Sequence, residues 1–398
     1  MASADRNPTS PALEAVILRS LTQLWERGWE PADVVHVTRR DLGSKGRAMA
    51  SVAVRASAAH LRTAHPTMHP AWLAQFDALG RPLPTPDGWL PAAARAAALD
   101  PTQAVRTATH LAALLSTLPS LSASLPPPSA WETDGQTRRS WALYQAAQDA
   151  ATGMDPRVLG KIRALLAKAE STTFPEEAEA LTAKAQELIT RHAVDRVLLA
   201  ATTGSVDDQP LTHRVHIDDP YASQKSTLLS EIASANHSRS VYTPQFGIAT
   251  LVGFAADLRA IELLFTSLLV QATAAMVQAG DRAPSGGRAR SRGFRSTFLS
   301  GYAIRIGQRL ALATHAVETA ADAASEGSLL PVLSLRDEAI DRATSEAFPR
   351  LRYKTTTVSD GAGWSAGTAA ADRADLGGDR RVDGLGTRAL GPGRAGGA

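Results

Sequence analysis

The chain contains no cysteine. That excludes disulfides, iron–sulfur clusters, thiolate zinc sites and a cysteine nucleophile, and it fits a reducing, cytoplasmic setting. Aromatic residues are scarce at 5%, and alanine fills much of the 44% that is hydrophobic. Such a chain favours closely packed helices over a large sandwich. The abundant Ala and Arg also read as a high-GC coding bias, which discounts both as functional signals. No charge sign dominates: the net charge is +3 over 398 residues, so a polyanionic partner must be argued from local clustering. Long hydrophobic runs are missing too. Leu263 to Ala275 is short of the ~20 apolar residues of a membrane span and is flanked tightly by Arg259 and Glu262. It reads as a buried helix, with no membrane partner. Met1 to Pro11 carries Asp5 and Arg6 and no apolar core, so no secretory signal is expected.

The length exceeds one ordinary core and implies two or three domains. The pattern divides the chain into an N-terminal helical region (1–80), a Pro/Ala-rich linker with one or two helices (81–153), a helical hairpin (154–200), a mixed α/β unit (211–348) and a disordered tail (377–398). The fold class is therefore α+β, helix-dominated. In the first region Leu13, Val16, Ile17, Leu21 and Leu24 recur at helical spacing. Pro31 opens a second helix, Ala48–Arg62 forms a third and Pro70–Leu79 a fourth. Frequent prolines interrupt the linker, where Thr102–Leu118 is its clearest helix.

The hairpin carries the strongest pattern. Asp155-Pro156 starts a helix whose stripe is Val158, Ile162, Leu165, Leu166 and Ala169. Pro175 restarts a second helix, with Glu176 and Glu177 at the positive end of its dipole. Its stripe is Ala178, Leu181, Ala185, Leu188 and Ile189. Beyond it the period changes. Leu211–Ile217 alternates as a strand, Pro220–Asn236 reads as a helix, and Ser240–Thr243 with Ile248–Gly253 reads as a hairpin of strands. Long helices follow over Ala255–Gln278 and Thr297–Ala324, with a Gly/Arg-rich loop, Gly280–Arg295, between them. Leu335–Phe348 is weakly helical.

Two segments resemble known families. Lys161-Ile162-Arg163-Ala164-Leu165-Leu166-Ala167-Lys168-Ala169-Glu170-Ser171-Thr172, followed by Glu176-Glu177-Ala178-Glu179-Ala180 and Ala183-Lys184-Ala185-Gln186-Glu187-Leu188, is similar to the domain of unknown function 2786 family. The region from about Leu211 to Gly301, with Phe298-Leu299-Ser300-Gly301-Tyr302-Ala303 and Arg309-Leu310 near its end, resembles the companion domain of unknown function 7168, which follows it in actinobacterial and phage proteins. The resemblance implies an organisation and carries no catalytic residues or cofactor.

Chemistry is sparse. Gly43-Ser44-Lys45-Gly46-Arg47 lacks phosphate-loop spacing and reads as a flexible turn. His213 and His216, three apart on a strand, fall on opposite faces and make poor joint ligands. His315, Glu318 and Asp322 share a helix face and would suit a divalent ion, yet a polar stripe on an amphipathic helix is the commoner meaning. No metal site and no cofactor follow. The one local excess is between Asp281 and Leu310: Arg282, Arg288, Arg290, Arg292, Arg295, Arg305 and Arg309 against a single acid. Arg288, Arg290, Arg292 and Arg295, beside Phe294, are the candidate nucleic-acid contacts, because guanidinium forks suit phosphates and aromatics stack on bases. A solvated, compositionally biased loop is the commoner reading of such a run. The leading function is a nucleic-acid-associated or phage-derived accessory protein. The alternatives are a helical scaffold recruiting a protein partner through exposed Trp25 and Trp29, and a divalent-metal hydrolase using His315 with His213 or His237.

Overall fold

The computed structural model describes residues 9–65, 67–80, 88–131, 156–172, 175–203, 209–282, 291–351 and 361–373. The helix-dominated α+β expectation holds: among the described residues there are twelve α-helices and a three-stranded antiparallel sheet. They form two main cores.

The N-terminal core is built by α1 (Thr9–Glu26), α2 (Pro31–Ala64), α3 (Pro70–Ala78), α4 (Leu90–Ala96) and α5 (Pro101–Thr117). Helix α2 is broken at Gly43, whose φ of 70° and ψ of −162° are non-helical. This is where the sequence shows its glycine turn, since only a residue without Cβ adopts that conformation cheaply. Five tryptophans fill this core: Trp25, Trp29, Trp72, Trp89 and Trp131. Trp72 meets Trp25 and Trp131 edge to face at 5.6 and 5.4 Å, a favoured geometry for aromatic pairs. Trp25 and Trp29 are thus fully buried, and neither offers the exposed scaffold surface the sequence suggested.

The proline-rich stretch also departs from expectation. Residues 88–131, read from the sequence as part of a linker, pack into this core. Trp89, Leu111, Leu115 and Leu118 are buried there. Prolines have no N–H to satisfy but keep a carbonyl acceptor. Pro126 O accepts from both Trp72 Nε1 and Trp131 Nε1 at 3.1 Å, and Pro119 O accepts from Trp29 Nε1 at 2.7 Å. The prolines therefore cap the indole N–H groups of three of the five core tryptophans.

The second core begins with the hairpin, α6 (Pro156–Ser171) and α7 (Pro175–Thr203). Lys168 near the end of α6 bonds Glu177 at the start of α7 at 2.6 Å. Ile162, Leu166, Ala185 and Ile189 are buried, with Leu165 and Leu188 packed at the edge. Asp155, the expected cap, lies outside the described residues. Next come β1 (Leu211–His216), α8 (Ala222–Ala235), β2 (Arg239–Thr243) and β3 (Ile248–Gly253). The order is β1-β3-β2, both pairs antiparallel. Central β3 is buried throughout. Alternation sends Ala249 and Leu251 into this core, while Ile248 reaches the tryptophan core.

Helix α9 (Ala255–Arg282) runs across the sheet, followed by α10 (Arg292–Ala324), α11 (Leu329–Ala347) and α12 (Gly361–Arg373). Helix α9 is buried on one face only, a correction to its reading as a buried helix: Ile261, Leu264, Leu268 and Ala272 point inward, and Val270 and Val277 are exposed. Helix α12 was not expected from its Gly-rich sequence. A Cβ on Gly301 would stand 2.6 Å from Trp364 O, and one on Gly367 2.0 Å from Phe298 O. Backbone approaches backbone there, as small residues at a helix crossing permit. The tail from 377 lies outside the described residues.

Candidate functional site

The two cores meet through strand β1. Its central Arg214 is buried and reaches into the tryptophan core. There its guanidinium donates to Asp33, to Gly28 O at 2.8 Å and to Ser122 O at 2.6 Å. Asp33 stands in the first turn of α2, in a capping box with Glu30. Asp33 Oδ2 accepts from Glu30 N at 3.1 Å, and Oδ1 accepts from His216 Nε2 at 2.8 Å. Gln75 Nε2 donates to Glu30 Oε2 at 2.5 Å. The His216 ring stacks on His36, centroids 4.6 Å apart. The hairpin tip adds an apolar plug, Phe246 against Trp29 at 5.1 Å.

Burial drives the protonation states apart. Burial pushes the Glu30 carboxyl up to about 7, helped by the charge on Asp33. Burial would raise Asp33 too, but Arg214 and His216 outweigh it and hold Asp33 below its ordinary value. Burial holds His36 down at about 4, with His216 adding to the effect. The junction therefore contains an ionised Asp33–Arg214 pair, a neutral His36 and a Glu30 poised near neutrality. Pulled-apart values of this kind accompany both functional sites and structural ion-pair networks.

The rim of this junction is cationic. Arg39 Nη1 pairs with Asp218 and Arg40 Nη1 with Asp219, each at 2.9 Å. Lys225 Nζ donates to Asp218 O at 2.8 Å. One residue away, Gln224 Nε2 donates to Ser296 Oγ at 2.8 Å, which sets the N-terminal ends of α8 and α10 side by side. Neither helix has an acid in its first turn. Arg292 lies four residues before Ser296 and so shares its face. Arg295 is the neighbouring residue. Both are exposed, and neither meets a carboxylate in the described structure.

This corrects the Arg loop in part. Helix α10 begins at Arg292 rather than Thr297, with Ser291 as its cap accepting from Phe294 N at 3.1 Å. Arg292 and Arg295 are therefore helical, not in the loop. Phe294 is buried and unavailable for base stacking. Arg288 and Arg290 lie outside the described residues.

The other sequence candidates disperse. Glu318 bonds His237 Nε2 at 2.7 Å, while Asp337 holds Nδ1 at 3.0 Å. Those two hydrogen bonds raise His237 to about 10. Asp322 Oδ1 accepts from Leu329 N and Leu330 N, capping α11. His315 is exposed, so His315, Glu318 and Asp322 do not converge. His213 lies 3.8 Å from Glu262, on the opposite face of β1 from His216. Among the described residues no three His, Asp or Glu side chains group as a metal would require.

Two groups escaped sequence reasoning. The Asp33–Arg214–His216 cluster left one trace, a charged residue in the middle of an alternating strand. The other is a buried amide in the hairpin: Gln186 Nε2 donates to Asn236 Oδ1 at 3.0 Å and to Thr190 and Thr314 Oγ1 at 3.1 Å. It ties α7 to α8 and α10.

Residues 157–196, the α6–α7 hairpin, match the family described as "Protein of unknown function (DUF2786)". The match falls on the hairpin whose helices and spacing resembled that family. The match ends before the segment that resembles the companion domain. No curated protein and no solved structure matches the chain.

Proposed function

We propose that the protein is a cytoplasmic, nucleic-acid-associated accessory protein that grips the phosphate backbone beside the junction of its two cores. One observation carries this reading. Two helix N-termini stand side by side without an acid in either first turn, flanked by Lys225, Arg292 and Arg295. Helix N-termini already carry partial positive charge and unsatisfied N–H groups. Adding two exposed arginines there costs stability unless an anion occupies the region. The four acids nearest the junction are consumed by Arg214, His216, Arg39 and Arg40 or held by Gln75. No reading element for base edges accompanies the cations, so contact is to phosphates and tolerant of sequence.

The test is fluorescence anisotropy of mixed-sequence single- and double-stranded DNA and RNA at two salt concentrations. Binding should be steeply salt-dependent, with Kd of ~10⁻⁴ to 10⁻⁶ M at physiological salt. Changing Arg292 and Arg295 together to Ser should flatten the salt slope by about two units on B-DNA and leave the fold intact. Absence of binding at low salt by the unmodified protein overturns the reading.

A further inference from the structure

Where β1 joins the two cores, one guanidinium serves two buried carboxyls. Arg214 bonds Asp33, and its Nη1 stands 3.6 Å from Glu30 Oε1. All three side chains are buried. Arg214 Nη2 is already committed to Gly28 O and Ser122 O. Two carboxylates against one cation would leave a net negative charge inside the seam, a costly arrangement. Asp33 is well provided for: Arg214 and Glu30 N donate to Oδ2, and His216 donates to Oδ1. Glu30 is left short. Its Oε2 accepts from Gln75, but its Oε1 has no hydrogen-bond partner among the described residues. Geometry and charge balance therefore place a proton on Glu30.

We propose that this proton is a latch: neutral Glu30 holds the two cores together, and its ionisation parts them at β1 and lets water into the seam. An ionised Glu30 repels Asp33, competes with it for Arg214, and leaves Oε1 as a bare anionic oxygen that only water can solvate. The groups that face Glu30 are Asp33 from its own helix, Gln75 from α3, and Arg214 and His216 from β1. Burial, with the charge on Asp33 behind it, pushes Glu30 up to about 7. A carboxyl raised in this way contributes stability that is fully present below 4.5 and lost as pH rises through about 7. The latch is thus shut in mild acid and released above neutrality. Other polar ties across the seam hold weakly. Arg39–Asp218 and Arg40–Asp219 rest on exposed carboxylates, and such pairs contribute little. The latch is independent of the nucleic-acid reading, since no anion takes part in it.

Trp29 reports the seam, because its ring packs at 5.1 Å on Phe246 from the β2–β3 turn. Labelling with fluorotryptophan gives one fluorine NMR signal per tryptophan, seven in all, and Trp29→Phe identifies the one to follow. The titration spans roughly pH 5.5 to 8.5, a window on either side of the Glu30 midpoint. In the parent the Trp29 signal should move with a midpoint of about 7. Above that midpoint it should also gain a shift between light and heavy water, the mark of an exposed ring. Far-ultraviolet circular dichroism should stay constant, because the cores part without melting. Glu30→Gln keeps the shape of the neutral carboxyl and cannot ionise. Its Trp29 signal should hold the parent's low-pH position throughout, with no solvent shift. A parent signal that is constant across the window overturns the proposal, whatever the variant does. A movement without the solvent shift overturns it as well, since Glu30 then titrates in a closed seam. A movement that persists in E30Q overturns it in favour of His216 as the titrating group, and one that coincides with loss of helical signal overturns it in favour of unfolding.

Discussion

The two cores solve the same packing problem with different materials. The N-terminal core is held by five tryptophans, and three of them, Trp29, Trp72 and Trp131, donate their N–H groups to carbonyls of prolines in its last segment. The second core is aliphatic, built from Ile, Leu and Ala with Phe265, Phe298 and Tyr302, and its helices approach through glycine. Their histidines differ likewise. His36 and His69 are kept neutral by burial in the first core, each down at about 4. His237 in the second is kept charged by two carboxylates, up at about 10. At His36 desolvation outweighs the single carboxylate of Asp218, 3.6 Å away, and the ring loses its charge, whereas His237, clamped between two carboxylates, retains it.

The largest expected effect comes from cutting the link between the cores. Arg214→Ala leaves Asp33 buried without its guanidinium, which should cost about 3–5 kcal/mol. Tryptophan emission reports mainly the first core and circular dichroism reports both. Urea transitions that coincide in the parent should separate in this variant. If they stay coincident, the cores are coupled by some other contact.

Ile162→Ala should cost about 2–5 kcal/mol through the cavity it leaves. With the Arg214 link intact, the helical signal and the tryptophan emission should shift to lower urea together. A loss confined to the helical signal would show that the cores unfold separately even with the link in place.

Gln186→Ala removes the donor shared by Thr190, Asn236 and Thr314, and about 1–3 kcal/mol should go with it. Gln186→Leu fills the space better but leaves the same acceptors bare. If Q186L is as stable as the parent, the network contributes specificity rather than stability.

The pH responses are the smallest effect and bear most directly on the contrast. His36 and His69 fall from 6.5 to about 4 on folding, so their contribution is present above 6.5 and lost as pH falls toward 4. His69 Nδ1 accepts from Ala71 N at 3.2 Å to cap α3, a role protonation ends. Glu30 works the other way, rising from 4.5 to about 7, with its contribution present below 4.5 and lost as pH rises through 7. His237 rises from 6.5 to about 10, so its contribution is fully present below 6.5 and lost as pH climbs through 10. Tryptophan-monitored stability should therefore decline in acid, more steeply in Glu30→Gln, where the opposing group is gone. The second core should weaken first in alkali, and His237→Gln should abolish that alkaline limb. The reverse order of the two limbs would break the comparison.

Much of this was legible in sequence because it depends on neighbours in the chain. Helix α1, the hairpin stripes, strands β1 to β3 and the start of α2 at Pro31 follow from periodicity and caps, which act over three or four residues. The family of the hairpin was legible for the same reason, since the pattern from Lys161 to Leu188 lies within one local unit. The Arg excess was visible as composition. Its placement on the first turn of α10 was not, because Gly293 and the neighbouring serines weaken the helical pattern there.

What the chain alone determined is the helix-rich class, the absence of thiol chemistry and the stripes that each element must bury. What tertiary structure decided is everything that brings distant residues together. Asp33 and Arg214 are 181 residues apart, and no local spacing announces their pairing. A Gly-rich segment is a poor helix by intrinsic propensity, yet α12 forms because its glycines let it lie against the backbone of α10. A proline-rich stretch reads as linker until a tryptophan stands ready to donate to its carbonyls. Local sequence encodes the preferences of short segments, whereas the burial that shifts Glu30 and His36 and the two carboxylates that clamp His237 are set by which segments meet.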